Sequence, residues 1–96
     1  MNSYKRPWGW YKVLYDEKFK VKLICINPGH RLSLQKHLNR DESWIDVRTN
    51  KFTFIPKGKL HRISNRGKSK KYVVELQTGR CDENDIIRLQ DDYGRC

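Results

Sequence analysis

Residues 33–44 read Ser33-Leu34-Gln35-Lys36-His37-Leu38-Asn39-Arg40-Asp41-Glu42-Ser43-Trp44, and the spacing of their polar side chains decides the fold. Gln35 and His37 are two apart, so on an extended strand both side chains leave the same face, and Glu42 returns to that face after a short bend. Together they offer three ligands to one metal ion. A fourth comes from His61, which closes the run Pro56-Lys57-Gly58-Lys59-Leu60-His61, where Pro and Gly set a turn that delivers an imidazole from a neighbouring strand. Imidazole nitrogen with amide and carboxylate oxygen suits Zn, Mn, Fe, Co or Ni better than a thiolate-selective ion, and does not choose among them. A lone His on a strand is more often structural than metal-binding. Two His with Gln and Glu at this spacing reverse that expectation and point to one divalent ion per chain.

At these residues the chain resembles the cupin superfamily. More narrowly, it is similar to the C-terminal cupin domain of bifunctional mannose-1-phosphate guanylyltransferase/mannose-6-phosphate isomerase proteins. The first cupin motif corresponds to Gln35-x-His37-x4-Glu42 and the second to Pro56-x-Gly58-x2-His61, with Gln in place of the usual first His as in this subfamily. Ser33, Leu34, Arg40 and Trp44 match its signature too. Further matches run through the chain: Arg6-Pro7-Trp8-Gly9 with Tyr11, Asn27-Pro28-Gly29, His61-Arg62 with Asn65, Glu75-x-Gln77-x-Gly79, and Glu83-x-Asp85-Ile86-x-Arg88. The resemblance implies an all-β fold, a small double-stranded β-helix or jelly-roll barrel.

Thr49 and Asn50 stand where the first motif ends and the second begins, so the two motifs abut. Relatives insert at least a hairpin there, and this barrel is therefore expected to be shortened by two strands. Thr49-Asn50 can form a two-residue turn with Asn at positive φ. That turn predicts Val47 opposite Phe52 and Ile45 opposite Phe54 on one face, with Asp46 opposite Thr53 and Trp44 opposite Ile55 on the face of Glu42. The apolar face of Ile45, Val47, Phe52 and Phe54 then needs a cover, and a second copy of the chain, forming a homodimer, is the expected one.

Elsewhere, Met1 to Lys5 is expected to be a frayed arm, followed by Trp8, Trp10 and Tyr11 as packing aromatics or the floor of a sugar site. Phe19, Val21, Leu23 and Cys25 alternate with Lys20, Lys22, Ile24 and Ile26, a strand with one face apolar throughout. Arg66, Lys68, Lys70 and Lys71 surround Gly67 in what reads as a solvated hairpin loop. Val73, Glu75 and Gln77 share one strand face; if that face lines the barrel, the Glu75 carboxylate is interior and near the metal. Asp82 to Leu89 reads as a short C-terminal helical segment capped by Asp82. His30 has no such ligand company and is expected in solvent.

Ninety-six residues suit a single domain over 1–96 with a modest core, with no room for the nucleotidyltransferase half of the bifunctional proteins, so guanylyl transfer is not expected. The net charge of +10 favours anionic partners. Nucleic acid is disfavoured among them, because no recognition-helix, zinc-finger or ribonucleoprotein signature is present. Three cysteines without a Cys-x-x-Cys pair, and no apolar run long enough to span a bilayer, read as a soluble cytoplasmic chain with reduced thiols. Cys25 reads as a small core residue and Cys96 as terminal.

The resemblance implies interconversion of mannose 6-phosphate and fructose 6-phosphate, with the ion held by Gln35, His37, Glu42 and His61. Face parity makes Glu75 the candidate base. Arg40 is the first candidate for a substrate-contacting cation, with Arg62 and Arg88 behind it and Trp44 at the site. The competing expectation is a metal-bound cupin that binds a sugar or other anion without turnover.

Overall fold

The computed structural model describes residues 2–94. Its strands are β1 (Ser3–Arg6), β2 (Gly9–Asp16), β3 (Lys20–Ile26), β4 (Leu34–Lys36), β5 (Arg40–Asp46), β6 (Phe52–Ile55), β7 (Lys71–Gly79) and β8 (Ile87–Gln90). Six form an antiparallel sheet in the order β1-β2-β3-β7-β5-β6, and β4 pairs with β8 in a second, smaller one. Single bridges from Arg31 to Ser64 and from Gln35 to His61 extend the smaller layer. Between the layers lies a core of Trp8, Ile24, Ile26, Ile63 and Val73, with Tyr11, Leu32, Trp44 and Tyr93 packed against it.

Gly9 fixes the corner where β1 turns into β2. A Cβ there would lie 2.0 Å from the carbonyl oxygen of Cys25, and its φ of 151° is one that side-chain-bearing residues rarely adopt. The close approach lets β2 run against β3 and brings Trp8 into the core.

Several expectations are corrected here. Residues Ser3 to Lys5 are not a frayed arm: they pair with β2 from Trp10 to Lys12, and Tyr4 stacks on Tyr11 with ring centroids 5.0 Å apart. Asp82 to Leu89 is not helical. Asp82 does accept from the Asn84 amide as a cap would, and Asp85 N–H closes one turn on the Asp82 carbonyl, but the chain then straightens into β8. β-Branched Ile86 and Ile87 favour that, and β4 offers a backbone edge needing a partner. No helix occurs among the described residues, and none is long and apolar enough to cross a membrane.

The β5–β6 hairpin keeps the expected faces but not the expected register. Ile45 lies opposite Phe52 and Trp44 opposite Thr53, a shift of two residues. The Asp46 carboxylate accepts the Arg48 and Thr49 amides, widening the turn, and Asn50 takes the positive φ of 61°. The wholly apolar face of β3 is the outer one; Lys20, Lys22, Ile24 and Ile26 point inward and are buried. Cys25 is fully buried, as expected, and Cys96 lies outside the described residues. His30 is half-buried, stacked parallel to Tyr93 at 6.2 Å.

Candidate metal centre

Two strands and one turn assemble the cluster. Gln35 sits on β4, His37 just beyond its end, and Glu42 on β5. His61 is drawn to them by a pair of backbone hydrogen bonds, Gln35 N–H to His61 O at 3.0 Å and His61 N–H to Gln35 O at 2.9 Å. The Pro56 turn is pinned by Gly58 N–H donating to the His37 carbonyl at 2.6 Å, so both imidazoles are held by one local network. Ligand atoms of His37, Glu42 and His61 all lie within 4.8 Å of one another, and all three residues are buried.

The orientation of the rings matters more than their proximity. His37 Nδ1 faces the Asp85 carbonyl and His61 Nδ1 faces the Lys59 carbonyl at 3.0 Å. Each Nδ1 is therefore the protonated nitrogen, which turns both Nε2 atoms toward Glu42, at 3.1 Å for His37 and 3.5 Å for His61. His61 Nε2 is buried with no hydrogen-bond partner. An orphaned buried acceptor is costly, and a cation beside it removes the cost.

Electrostatics agree. Burial pushes the Glu42 carboxyl up, but His37, His61 and Arg40 outweigh it and hold the group at about 2. Burial pushes the His61 imidazole down, toward the neutral form that can donate its lone pair to a cation. Arg40 places Nη2 3.1 Å from Glu42 Oε2 and 3.2 Å from His37 Nε2, so positive charge is what this cluster attracts. Two imidazole nitrogens, a carboxylate and the nearby Gln35 amide are compatible with a divalent ion.

A cavity of about 250 Å³ opens beside the cluster, lined by Gln35, His37 and Glu42 together with Glu75 and cations from other strands. Glu75 is buried on the inner face of β7, where Gln77 Nε2 donates to its Oε1 at 2.6 Å. Burial, reinforced by the charge of Glu42 and only partly offset by Lys22, pushes its carboxyl up to about 7. Arg40 and Arg88 line the cavity as well, Arg88 lying opposite Gln35 across β4 and β8. Trp44 donates from Nε1 to Glu42 Oε1 at 3.2 Å and meets the His61 ring edge-on. Arg62 is not brought to the cavity; it donates to the carbonyls of Leu32 and Gln90 and ties β8 to the chain before β4.

Sequence reasoning missed Arg6, Lys20, Lys22, Glu83 and Asp85. Asp85 accepts the Leu38 and Asn39 amides at 2.9 and 2.8 Å, capping the turn between β4 and β5. Lys20 and Lys22 stand at alternate positions of an otherwise apolar strand, which marks a shared face without marking it as the buried one. Glu83 and Asp85 stood in a run matched to the family, but they reach the site only because the tail folds back across it, which the run itself does not show.

The family described as "Mannose-6-phosphate isomerase C-terminal" matches residues 1–91. This chain belongs to that family. Xanthan biosynthesis protein XanB of Xanthomonas campestris pv. campestris strain B100 is 39% identical over 107 residues, covering 94% of this chain and 23% of XanB. Alginate biosynthesis protein AlgA of Pseudomonas aeruginosa strain PAO1 is 42% identical over 107 residues, covering 94% of this chain and 22% of AlgA. A mannose-1-phosphate guanylyltransferase of Sinorhizobium fredii strain NGR234 is 38% identical over 91% of this chain and 20% of its own length. The chain thus spans about a fifth of these relatives. An aligned span of 107 positions draws on about 90 residues here, so about 17 positions of XanB or AlgA face none in this chain. Among solved structures, capsular polysaccharide assembling protein CapF of Staphylococcus aureus superposes with a TM-score of 0.81 at 16% identity, covering 93% of this chain and 32% of CapF. That likeness is one of fold, the cupin fold of the family.

Proposed function

We propose that the chain is a metal-dependent sugar-phosphate isomerase domain interconverting mannose 6-phosphate and fructose 6-phosphate, a reaction of cytoplasmic metabolites. The observation that carries this reading is the convergence of three ligand atoms on one point, with a second carboxylate of raised pKa in the same cavity. His37, Glu42 and His61, with Gln35, would hold the ion. When bound, it supplies Lewis-acid polarisation of the substrate's C1 and C2 oxygens and stabilises negative charge developing on them.

The remaining work falls to the protein's own groups. In the aldose-to-ketose direction Glu75 accepts the proton from C2 and returns it to C1, while the hydroxyl proton on O2 passes to O1 and the carbonyl moves from C1 to C2. A base near pH 7 suits this, because it is ionised often enough to accept a proton and basic enough to hold it. Gln77 fixes the Glu75 carboxylate. Arg40, which lines the cavity while bonded to Glu42, His37 and the Asp82 carbonyl, is the cation assigned to the anionic sugar, with Arg88 in the same cavity lining.

The second reading, a metal-bound cupin that binds a sugar without turnover, is favoured by one observation: about 17 aligned positions are missing here, which removes wall from a cavity of only about 250 Å³. Orientation of substrate contributes many orders of magnitude to rate, so lost wall bears on catalysis before it bears on metal binding. A second copy of the chain is the cover we propose for the apolar outer face.

The deciding experiment is a coupled assay of fructose 6-phosphate conversion on protein loaded separately with Zn, Mn or Co, with His61→Ala alongside. Metal-dependent turnover abolished in His61→Ala is the expected result. A bound, His61-dependent metal with no turnover, and no exchange of the C2 proton with solvent, would overturn the isomerase in favour of the binding reading.

A further inference from the structure

Lys20 and Lys22 are unusual cations. Both lie on the inner face of β3 with side chains more than nine-tenths buried, and each places Nζ 2.8 Å from the same oxygen, Oε1 of Glu83. Asp16 adds a looser, more exposed contact to Lys20 at 3.8 Å, so Lys22 is the lysine left to share a single carboxylate oxygen, in a place where incompletely paired charge is costly. Lys22 and Glu83 line the cavity that His37 and Glu42 line. Arg6 and Tyr11 complete this wall, with Lys22 Nζ 4.7 Å from the Tyr11 ring centre and Arg6 stacked 5.4 Å from it.

We propose that Lys22, backed by Lys20 and Arg6, is the seat of the phosphoryl group of the sugar-phosphate ligand, and that Glu83 occupies this seat as a resident carboxylate which the phosphate displaces. Glu83 suits that part because its side chain is half exposed and belongs to a turn between strands, so a side-chain rotation clears the seat without disturbing a ladder. A phosphate dianion offers Lys22 more negative charge than its share of one Glu83 oxygen, and three oxygens for the lysine N–H groups. The span fits as well. Lys20, Gln77 and Glu42 are lateral neighbours across β3, β7 and β5, so the cationic wall and the metal ligands are two strand spacings apart, about 10 Å between backbones. The open six-carbon chain of a hexose 6-phosphate separates its phosphoryl and carbonyl ends by a comparable interval. Glu75 lies between them, opposite Lys22 on one side and Trp44 on the other.

As a statement about the substrate this rests on the isomerase reading, but binding tests it separately. Titration calorimetry with inorganic phosphate, fructose 6-phosphate and fructose is run on the wild-type chain, Lys22→Met, Glu83→Gln and His61→Ala, without added metal. Phosphate and fructose 6-phosphate bind the wild type and fructose does not. Lys22→Met loses about 10-fold or more in phosphate affinity, the size of one charge-assisted hydrogen bond. Glu83→Gln gains about 10-fold, since the incoming phosphate no longer competes with a charged carboxylate. His61→Ala binds phosphate like the wild type. Phosphate affinity unchanged in Lys22→Met, or unchanged or weakened in Glu83→Gln, overturns the proposal. If Lys22→Met does not fold by circular dichroism, the Glu83→Gln result decides alone. Phosphate binding with these shifts but no turnover leaves the seat standing and removes the isomerase; turnover indifferent to both variants does the reverse.

Discussion

Two buried carboxylates share the site and are driven apart by their neighbours. Glu42, among two imidazoles and a guanidinium, is held at about 2; Glu75, one strand away with an amide partner, is pushed up to about 7. Isomerase kcat/KM is therefore expected to rise with pH through about 7 and to fall below it as Glu75 takes up a proton. Glu75→Gln should lower kcat by roughly 100-fold or more while metal still binds. Stability moves the other way. The folded-state value exceeds the usual 4.5, so the unfolded chain releases this proton first and stability falls as pH rises from 4.5 to about 7. Melting temperatures measured across that window should lose this slope in Glu75→Gln, and a slope that persists would reassign the group. The common face of Val73, Glu75 and Gln77 and that of Gln35, His37 and Glu42 were legible because strand alternation is geometric. The inward direction of Lys20 and Lys22 was not, because alternation says which residues share a face and never which face is buried.

At the scale of elements, the tail from Asp82 to Gln90 does the unexpected work. It supplies the Asp82 carbonyl to Arg40, the Asp85 carbonyl to His37 and the Asp85 carboxylate to the amides of Leu38 and Asn39, and it ends in β8 on β4. A helix over these residues would have left His37 Nδ1 without that carbonyl. Local propensity favoured a turn with a cap, and one turn does form; pairing with β4 overrides the rest. The β5–β6 hairpin shows the same limit, since its faces followed from alternation while its register depended on which amides the Asp46 side chain captures. Asp85→Ala keeps the backbone carbonyl that faces His37 Nδ1 but removes the carboxylate that holds the turn after His37, so metal affinity is expected to fall, by about 10-fold at most, through displacement of that candidate ligand. Competition against a chelating dye measures it. Asp85→Asn, which retains one acceptor oxygen, should fall between, and metal affinity equal to wild type in Asp85→Ala would separate the tail from the centre.

At the scale of the whole molecule, the surface proposed to be covered by a second copy is the outer face of the six-stranded sheet. It carries a row of Leu23, Val74, Ile45 and Phe52 in register across β3, β7, β5 and β6, and beside it Val21, Leu76 and Phe54. Phe52 and Phe54 are 60% and 50% exposed on β6, the edge strand, where unpaired backbone and apolar side chains coincide. A net charge of +10 disfavours bringing two copies together through most of their surface, which confines any self-contact to a patch where charge is sparse. The row is apolar across β3, β7, β5 and β6 and meets a cation only at Lys12 of β2, and a two-fold pairing there would set the Phe52 and Phe54 of one copy against the apolar row of the other. About 800 Å² per partner makes a stable contact, a fraction of the 6191 Å² surface of one chain. Light scattering after gel filtration is expected to give twice the chain mass at micromolar concentration, unaffected by moderate salt because the contact is apolar. Phe52→Lys with Phe54→Lys should give monomers that remain folded, since neither ring reaches the core. A monomeric wild type, or a dimer that survives both lysines, would remove this face as the interface.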